Sequence, residues 1–351
     1  MTTYVILVLL ILSSNLLIKM TVTDEEKAKR SFLWTVGIML VLISALRGQG
    51  VGADTYGYWI NYENKRSVDF FDVINNWGDD SLYYYLNGLL SKNGISIQVW
   101  FGMIASAYTA VLFSIYYKYS KNVLLSVIMY VSVGTFAFSL AGLKQTCAMA
   151  VALLAFYPLK DRKPIRFCLT ILLASLFHVT VVIFAFAYLI SLIKNKKLLI
   201  TVGFIMTAII FTTGISLINL GLGWLDIDRY ESYSRTDSNY SLTSFFIQAL
   251  VVIVSLIFMG EEKTEDENLF LALALSGMLF QAFASTSAST FRLSLYFVPF
   301  GAVLYPNSIK KMADPKDIRM IELLSGFVFL AYFLYSVSQG GSISNYEFYW
   351  K

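Results

Sequence analysis

Residues 46–62, LRGQGVGADTYGYWINY, follow an apolar run and hold Arg47, four glycines, the carboxylate Asp54 and the rings of Tyr56, Tyr58, Trp59 and Tyr62. Glycines let backbone N–H groups approach an anion closely. A guanidinium offers phosphate oxygens a fixed fork of donors. One carboxylate among rings and glycines suits an anionic, sugar-bearing ligand. The bland reading of the same stretch is a helix end with a snorkelling arginine and an interfacial aromatic belt.

Three more basic residues, Lys144, Arg229 and Arg292, stand at or beside the ends of apolar segments. A charge near membrane depth is costly and usually faces a cavity or a partner. Taken singly, each reads as an interfacial snorkel. Together with Arg47 on one face they read as a polyanion site, with a lipid-linked pyrophosphate as the obvious ligand. Arg292 and Tyr296 are four apart and share a helix face; Arg229 and Tyr233 do so if their segment is helical. Cation–π or hydrogen-bonded packing inside a bundle is the alternative for both pairs.

The single histidine, His178, lies in LLASLFHVTVVIF. A lone buried histidine is more often a neutral core residue than a proton acceptor. At the turn of a membrane hairpin, however, it would reach a central cavity and serve as base or phosphate ligand. Glu261, Glu262, Glu265, Asp266 and Glu267 read as a solvated loop. No metal-ligand spacing, P-loop or nucleophile elbow is present, so neither a metal nor another cofactor is expected.

The elements that must position these residues follow from composition. Of 351 residues 57% are apolar and only 14% charged, with a mean hydropathy of +0.64; a soluble domain carries about a quarter charged residues. The chain is expected to be an all-α, polytopic integral membrane protein of one domain. A net charge of +4 is too small and dispersed to suggest nucleic acid. The two cysteines, Cys147 and Cys168, sit in apolar runs and indicate neither a disulfide framework nor a thiolate metal site. The first apolar run has its basic residues after it rather than before it, which argues for an uncleaved helix with its N-terminus outside.

Apolar runs at 4–18, 32–46, 95–117, 123–141, 145–159, 198–220, 242–259, 269–285, 291–305 and 321–337 give about ten crossings, by the length a hydrocarbon core requires. The run 165–193 is long for one crossing and short for two. Read as a hairpin that enters and leaves on one side, it puts most of the 27 Lys and Arg residues inside. Read as a single crossing, it weakens that bias, so the hairpin is preferred. The outer face then carries two loops, 48–94 and 221–241. The second half of the first, 81–93, is rich in Leu and Tyr and suits an amphipathic helix at the interface.

Five short motifs in this order resemble the EpsG-like, Wzy-type polysaccharide polymerases of bacterial envelopes. They are R-x6-D-x3-Y at Arg47, Asp54 and Tyr58; LKQTCAMA from Leu143, with Lys144 and Gln145; LASLFHVT around His178; RYESY with Arg229 and Tyr233; and FRLSLY with Arg292 and Tyr296. The likeness covers most of the chain. The family usually has Arg where Lys144 stands, which keeps the charge and loses the bidentate fork. Its acidic residue before the helix after the first loop is matched by both Asp79 and Asp80. The resemblance implies a fold like that of GT-C-type glycan polymerases. It also implies joining of undecaprenyl-pyrophosphate-linked oligosaccharide units into O-antigen or exopolysaccharide at the periplasmic or outer face of the inner membrane.

On that expectation Arg47, Tyr58, Lys144, Gln145, Arg229, Tyr233, Arg292 and Tyr296 bind pyrophosphate and substrate. Asp54 is the first candidate base and His178 the second. The bilayer and the lipid-linked oligosaccharide are the expected partners, with a chain-length regulator as a further candidate. A flippase for the same units would suit the cations equally, but it predicts an internal symmetry the sequence lacks. A glycan ligase shares the donor chemistry. A membrane O-acyltransferase is disfavoured, because its histidine should lie near an early-helix arginine.

Overall fold

The computed structural model describes residues 1–193, 195–225, 242–260, 264–285, 290–341 and 343–351, and only the backbone of 214–225 and 285. Among them the chain is all-α, without strands. Helices α1 (Thr2–Thr21) and α2 (Glu25–Ala45) form the first pair, joined by a turn in which Asp24 caps α2 by accepting from the Lys27 amide at 2.8 Å. The first loop folds into three short helices, α3 (Thr55–Glu63), α4 (Asp72–Asn75) and α5 (Ser81–Lys92). Then come α6 (Ile97–Tyr119), the bent pair α7 (Val123–Ser132) and α8 (Thr135–Ala141), α9 (Leu143–Leu154) and α10 (Phe156–Lys160). The remainder is α11 (Pro164–Ser175), a 3-10 turn (Val179–Ala185), α12 (Phe186–Ser191), α13 (Lys196–Leu225), α14 (Thr243–Phe258), α15 (Glu265–Ala282), α16 (Phe291–Ser294), α17 (Val298–Ile309) and α18 (Pro315–Ser338).

Five described helices are long and apolar enough to cross a bilayer, namely α1, α2, α6, the described part of α13, and α18; the α7–α8 pair makes a sixth if it is one span. Of the remaining runs expected as crossings, 145–159, 242–259 and 291–305 form shorter or broken helices, and α15 is long enough but begins with three acidic residues. One cause is local. Gly134 sits at φ 88° between α7 and α8, and the two axes diverge by 51°; a residue with a Cβ resists that conformation.

The 165–193 run doubles back. Arg162, just before α11, donates to the Ser191 hydroxyl at the end of α12 at 3.0 Å, and the Phe167 ring lies 5.3 Å from that of Tyr188. The reversal falls at 176–178, which places His178 at the hairpin turn, as the sequence led one to expect. The helix expected over 81–93 is α5, whose buried face (Tyr83, Tyr84, Asn87, Gly88) packs on protein. A Cβ on Gly88 would lie 2.0 Å from that of Ser67, so only glycine admits this approach.

The two ends of the bundle differ in charge. At one end Lys160 pairs with Asp266, Lys311 with Glu267 at 2.7 Å, Lys310 with Glu322 at 2.8 Å, and Lys196 donates to the Gly260 carbonyl. The opposite end carries the residues singled out for chemistry.

Candidate functional site

Asp80 is the residue on which the opposite end is assembled. It stands directly before α5 at φ 58°, a left-handed conformation uncommon for a residue with a Cβ. Its side chain is only 5% exposed. One carboxylate oxygen accepts from Lys144 Nζ at 2.9 Å, and the other meets His178 Nδ1 at 2.8 Å. Burial alone would raise the Asp80 pKa, but the hydrogen bond and charge of His178, with those of Lys144, outweigh it and hold the carboxyl below its usual range. An ionised carboxylate only accepts, so Nδ1 donates to it and Nε2 is the ring nitrogen turned away from Asp80. Lys144 lies 4.5 Å above the Tyr84 ring, one turn along α5 from Asp80.

The hairpin is stitched to this loop. Trp77 donates to the Ser175 hydroxyl at 2.9 Å and the Leu82 amide to the Leu176 carbonyl at 3.0 Å. These two bonds fix the 176–178 turn against Asp80. Two residues past His178, the Thr180 hydroxyl bonds that of Tyr296 at 2.9 Å, so the turn is also tied to the segment after α16.

Arg292 Nη2 lies 3.7 Å from Asp54 Oδ2, an ion pair too long for a hydrogen bond. Asp54 is 44% exposed and Arg292 31%, so this pair faces the opening. The Arg292 guanidinium stacks 5.6 Å from the Phe138 ring, and its backbone carbonyl accepts from Gln145 Nε2 at 2.7 Å. Gln145 Oε1 and Arg292 Nε are buried without a hydrogen-bond partner among the described residues. Tyr58 is enclosed among these groups. Asp54, Asp80 and Arg292 all act electrostatically on its hydroxyl, which faces the Lys144 amide, and burial pushes its pKa well up, so it stays a neutral phenol.

Asp54 is aimed by the glycine turn before it. Gly52 has φ 100°, and a Cβ there would lie 2.6 Å from the Leu140 carbonyl. The Thr55 hydroxyl bonds the carbonyls of Val51 and Leu140, at 2.6 and 3.1 Å, and clamps the first turn of α3 to the end of α8.

Thus Asp54, Tyr58, Lys144, Gln145, His178, Arg292 and Tyr296 come together. Arg229 and Tyr233 lie outside the described residues. Arg47 is at the same end, but 0% exposed. Its guanidinium stacks 3.9 Å from the Phe101 ring, and Nη1 donates to the Ser44 carbonyl and to the Ser44 hydroxyl at 3.0 Å. Burial pulls its pKa down to about 10, so it is charged at neutral pH. A strap of residues 343–351 covers it, through an antiparallel bridge between Arg47 and Phe348.

The central part of Asp80 and the Thr180–Tyr296 bond were not legible in the sequence as site chemistry. The family resemblance drew attention to Asp79 and Asp80 together, and only the fold separates them. Among the described residues, no group of three or more His, Cys, Asp or Glu side chains is placed to hold a metal ion.

Comparison with curated proteins and with solved structures returned no match. The family model described as "EpsG family" matches residues 30–349, nearly the whole length, including every one of the motifs above. The chain belongs to the EpsG family.

Proposed function

We propose that the protein is a polysaccharide polymerase that joins undecaprenyl-pyrophosphate-linked oligosaccharide repeat units into O-antigen or exopolysaccharide at the outer face of the bacterial cytoplasmic membrane. A nonreducing-end hydroxyl of one lipid-linked unit attacks the anomeric carbon of another. The bond from that carbon to pyrophosphate oxygen breaks, the pyrophosphate leaves on its lipid, and the hydroxyl proton passes to a base. Cations must meet the charge that develops on the departing pyrophosphate, and the base must lie within hydrogen-bond reach of the hydroxyl.

Family membership supports the polymerase class. The single observation that supports the chemistry is the convergence of Lys144, Arg292, Asp54 and an Asp80-anchored His178 from separate segments onto one end of the bundle. Arg292 and Lys144 hold the pyrophosphate. His178 takes the proton on Nε2, because Asp80 fixes its ring and stabilises the imidazolium that forms. Asp54, beside Arg292 at the opening, holds that guanidinium in place and is the second candidate for the proton. The basic residues at the far end support an outward-facing site.

Arg292→Ala tests the assignment. At normal membrane abundance, polymer formation is expected to fall about 10²–10³-fold, by analogy with a lost oxyanion donor. Wild-type amounts of long polymer from this variant would remove Arg292 from the role.

A further inference from the structure

Residues 67–79, SVDFFDVINNWGD, carry a surface that neither the site nor the bundle uses. Both ends of the segment are held. Asn87 donates to the Arg66 carbonyl at 2.9 Å, Ser67 packs against Gly88, and the Ser81 hydroxyl bonds the Asn76 carbonyl. Between these ends α4 and its flanking turns wind in one helical sense. The amides of Asp72, Val73 and Asn76 donate to the carbonyls of Asp69, Phe70 and Asp72. Val73 is buried, whereas Phe70, Phe71, Ile74 and Trp77 are 65%, 82%, 75% and 52% exposed. Helical spacing puts those four on one face and Asp69, Asp72, Asn75, Asn76 and Asp79 on the other. The exposed rings are ordered by their own contacts, Phe70 lying 5.8 Å from Phe71 and 5.6 Å from Tyr85.

A contiguous exposed patch of large apolar groups marks an interaction surface, and its depth identifies the partner. Trp77 Nε1 donates at 2.9 Å to the hydroxyl of Ser175, the last residue of α11. α11 starts at the basic end, beside Lys163 and Arg166. Its 12 residues rise only about 18 Å, and any tilt shortens that reach. A hydrocarbon core is about 30 Å thick. Ser175 and the Trp77 ring bonded to it therefore stand about 10 Å short of the far headgroups. The outer stripe of α11, with Leu169, Leu172 and Leu173, is exposed as well, and Trp77 continues it onto the loop. No Lys or Arg lies between residues 67 and 79. The face therefore has no charge to offer anionic headgroups, and it suits acyl chains.

We propose that residues 69–77 are embedded in the leaflet on the site's side of the membrane, with Phe70, Phe71, Ile74 and Trp77 among acyl chains and the carboxylates of Asp69 and Asp72 toward the headgroups. The partner of this surface is the bilayer. A tryptophan whose N–H is bonded inside, beside exposed rings and an aliphatic chain, suits that boundary. Embedding holds the Asp80–His178 pair below the headgroup level, because the Leu82–Leu176 backbone bond ties both to the same turn. The depth follows from the geometry alone. Its use rests on the polymerase reading: the cluster then meets the junction of lipid and sugar phosphate, and a lipid-linked unit reacts without leaving the bilayer.

The test measures depth. Phe71→Cys, Ile74→Cys and Asn75→Cys are made singly in the full chain carrying Cys168→Ser, since Cys147 is buried and Cys168 exposed. Leu172→Cys serves as the lipid-facing reference and the exposed Asn64→Cys as the aqueous one. Each thiol takes a nitroxide label, and the protein is reconstituted into phosphatidylcholine liposomes. Power saturation then compares collisions with oxygen, which concentrates among acyl chains, and with a water-soluble nickel chelate. Labels at 71 and 74 are expected to favour oxygen, as at 172, at a depth of about 5–10 Å below the headgroup boundary. The label at 75, on the opposite face, is expected to meet more nickel than either. Nickel access at 71 and 74 equal to that at 64 would overturn the proposal, and so would shielding from both reagents, which means a protein cover. Trp77→Phe reads the same depth without a thiol. It is expected to remove emission that brominated lipid quenches, and removal of emission that aqueous iodide quenches would contradict embedding. Depth does not depend on polymer synthesis. A wild-type protein that makes no polymer therefore sinks the polymerase reading and leaves the embedded loop standing.

Discussion

A carboxylate that accepts from Lys144 at 2.9 Å and from His178 at 2.8 Å loses its charge and one of its two acceptor oxygens when it is replaced by an amide. Asp80→Asn is therefore expected to lower polymer formation about 10²-fold, the usual scale for disturbing a general base, with protein abundance in the membrane preserved. A glycan assay on matched membranes checks it, and wild-type output would remove Asp80 as the positioning residue. The same carboxylate sets a pH dependence. Its pKa is depressed in the fold, so its contribution is present above the ordinary carboxylate value of about 3.9 and is lost as pH falls through the lower folded value. Thermal unfolding of wild type should then be flat with respect to Asp80 from neutral pH down to about 4 and fall below it, whereas Asp80→Asn lacks that acid-side loss. At this scale the sequence pointed to residues that the fold brings together and was a poor guide to how they are arranged. Arg292 and Asp54 are far apart in the chain, and no spacing rule pairs them. Arg47 read as an outward cation because the strap that buries it comes from the other end of the sequence.

At the scale of elements, local chemistry explains most of what was legible. Asp54 occupies its place because the Gly52 turn permits it. Gly52→Ala meets both a positive φ and a Cβ 2.6 Å from the Leu140 carbonyl, so it should cost at least about 1–2 kcal/mol, the usual left-handed penalty for a residue with a Cβ, and reduce activity by displacing α3. Gly50→Ala, which has nothing within 4 Å, should be tolerated. Thermal shift of the two purified variants decides it, and equal melting would refute the clamp. The 165–193 hairpin was readable from charge balance alone, since doubling back keeps its flanking lysines on one side. The bend between α7 and α8 was not, because an apolar run of sufficient length hides a glycine break. The same holds for the other expected crossings that form shorter helices: hydropathy reports what lipid tolerates, and helix length also depends on packing.

The whole molecule is polarised, with paired lysines at one end and the cluster around Asp80 at the other. The far end supports the fold and takes no part in the proposed chemistry. Lys311→Ala leaves Glu267, whose side chain is only 11% exposed, without its 2.7 Å partner. Loss of about 1–3 kcal/mol in stability is expected, as for a largely buried carboxylate that loses its ion pair while keeping the Thr264 amide bond, with polymer output per folded molecule unchanged. An equal fall in specific activity would show that the two ends are coupled. The polymerase reading itself is tested most directly on the product. The gene is deleted in its native host, restored with wild type, and the extracted surface glycan is separated on a gel. Polymerisation by this protein predicts collapse of the ladder to single-repeat bands on deletion and its return on complementation. An unchanged ladder would contradict polymerisation, and complete loss of glycan would turn the same cations into the grip of a flippase or ligase.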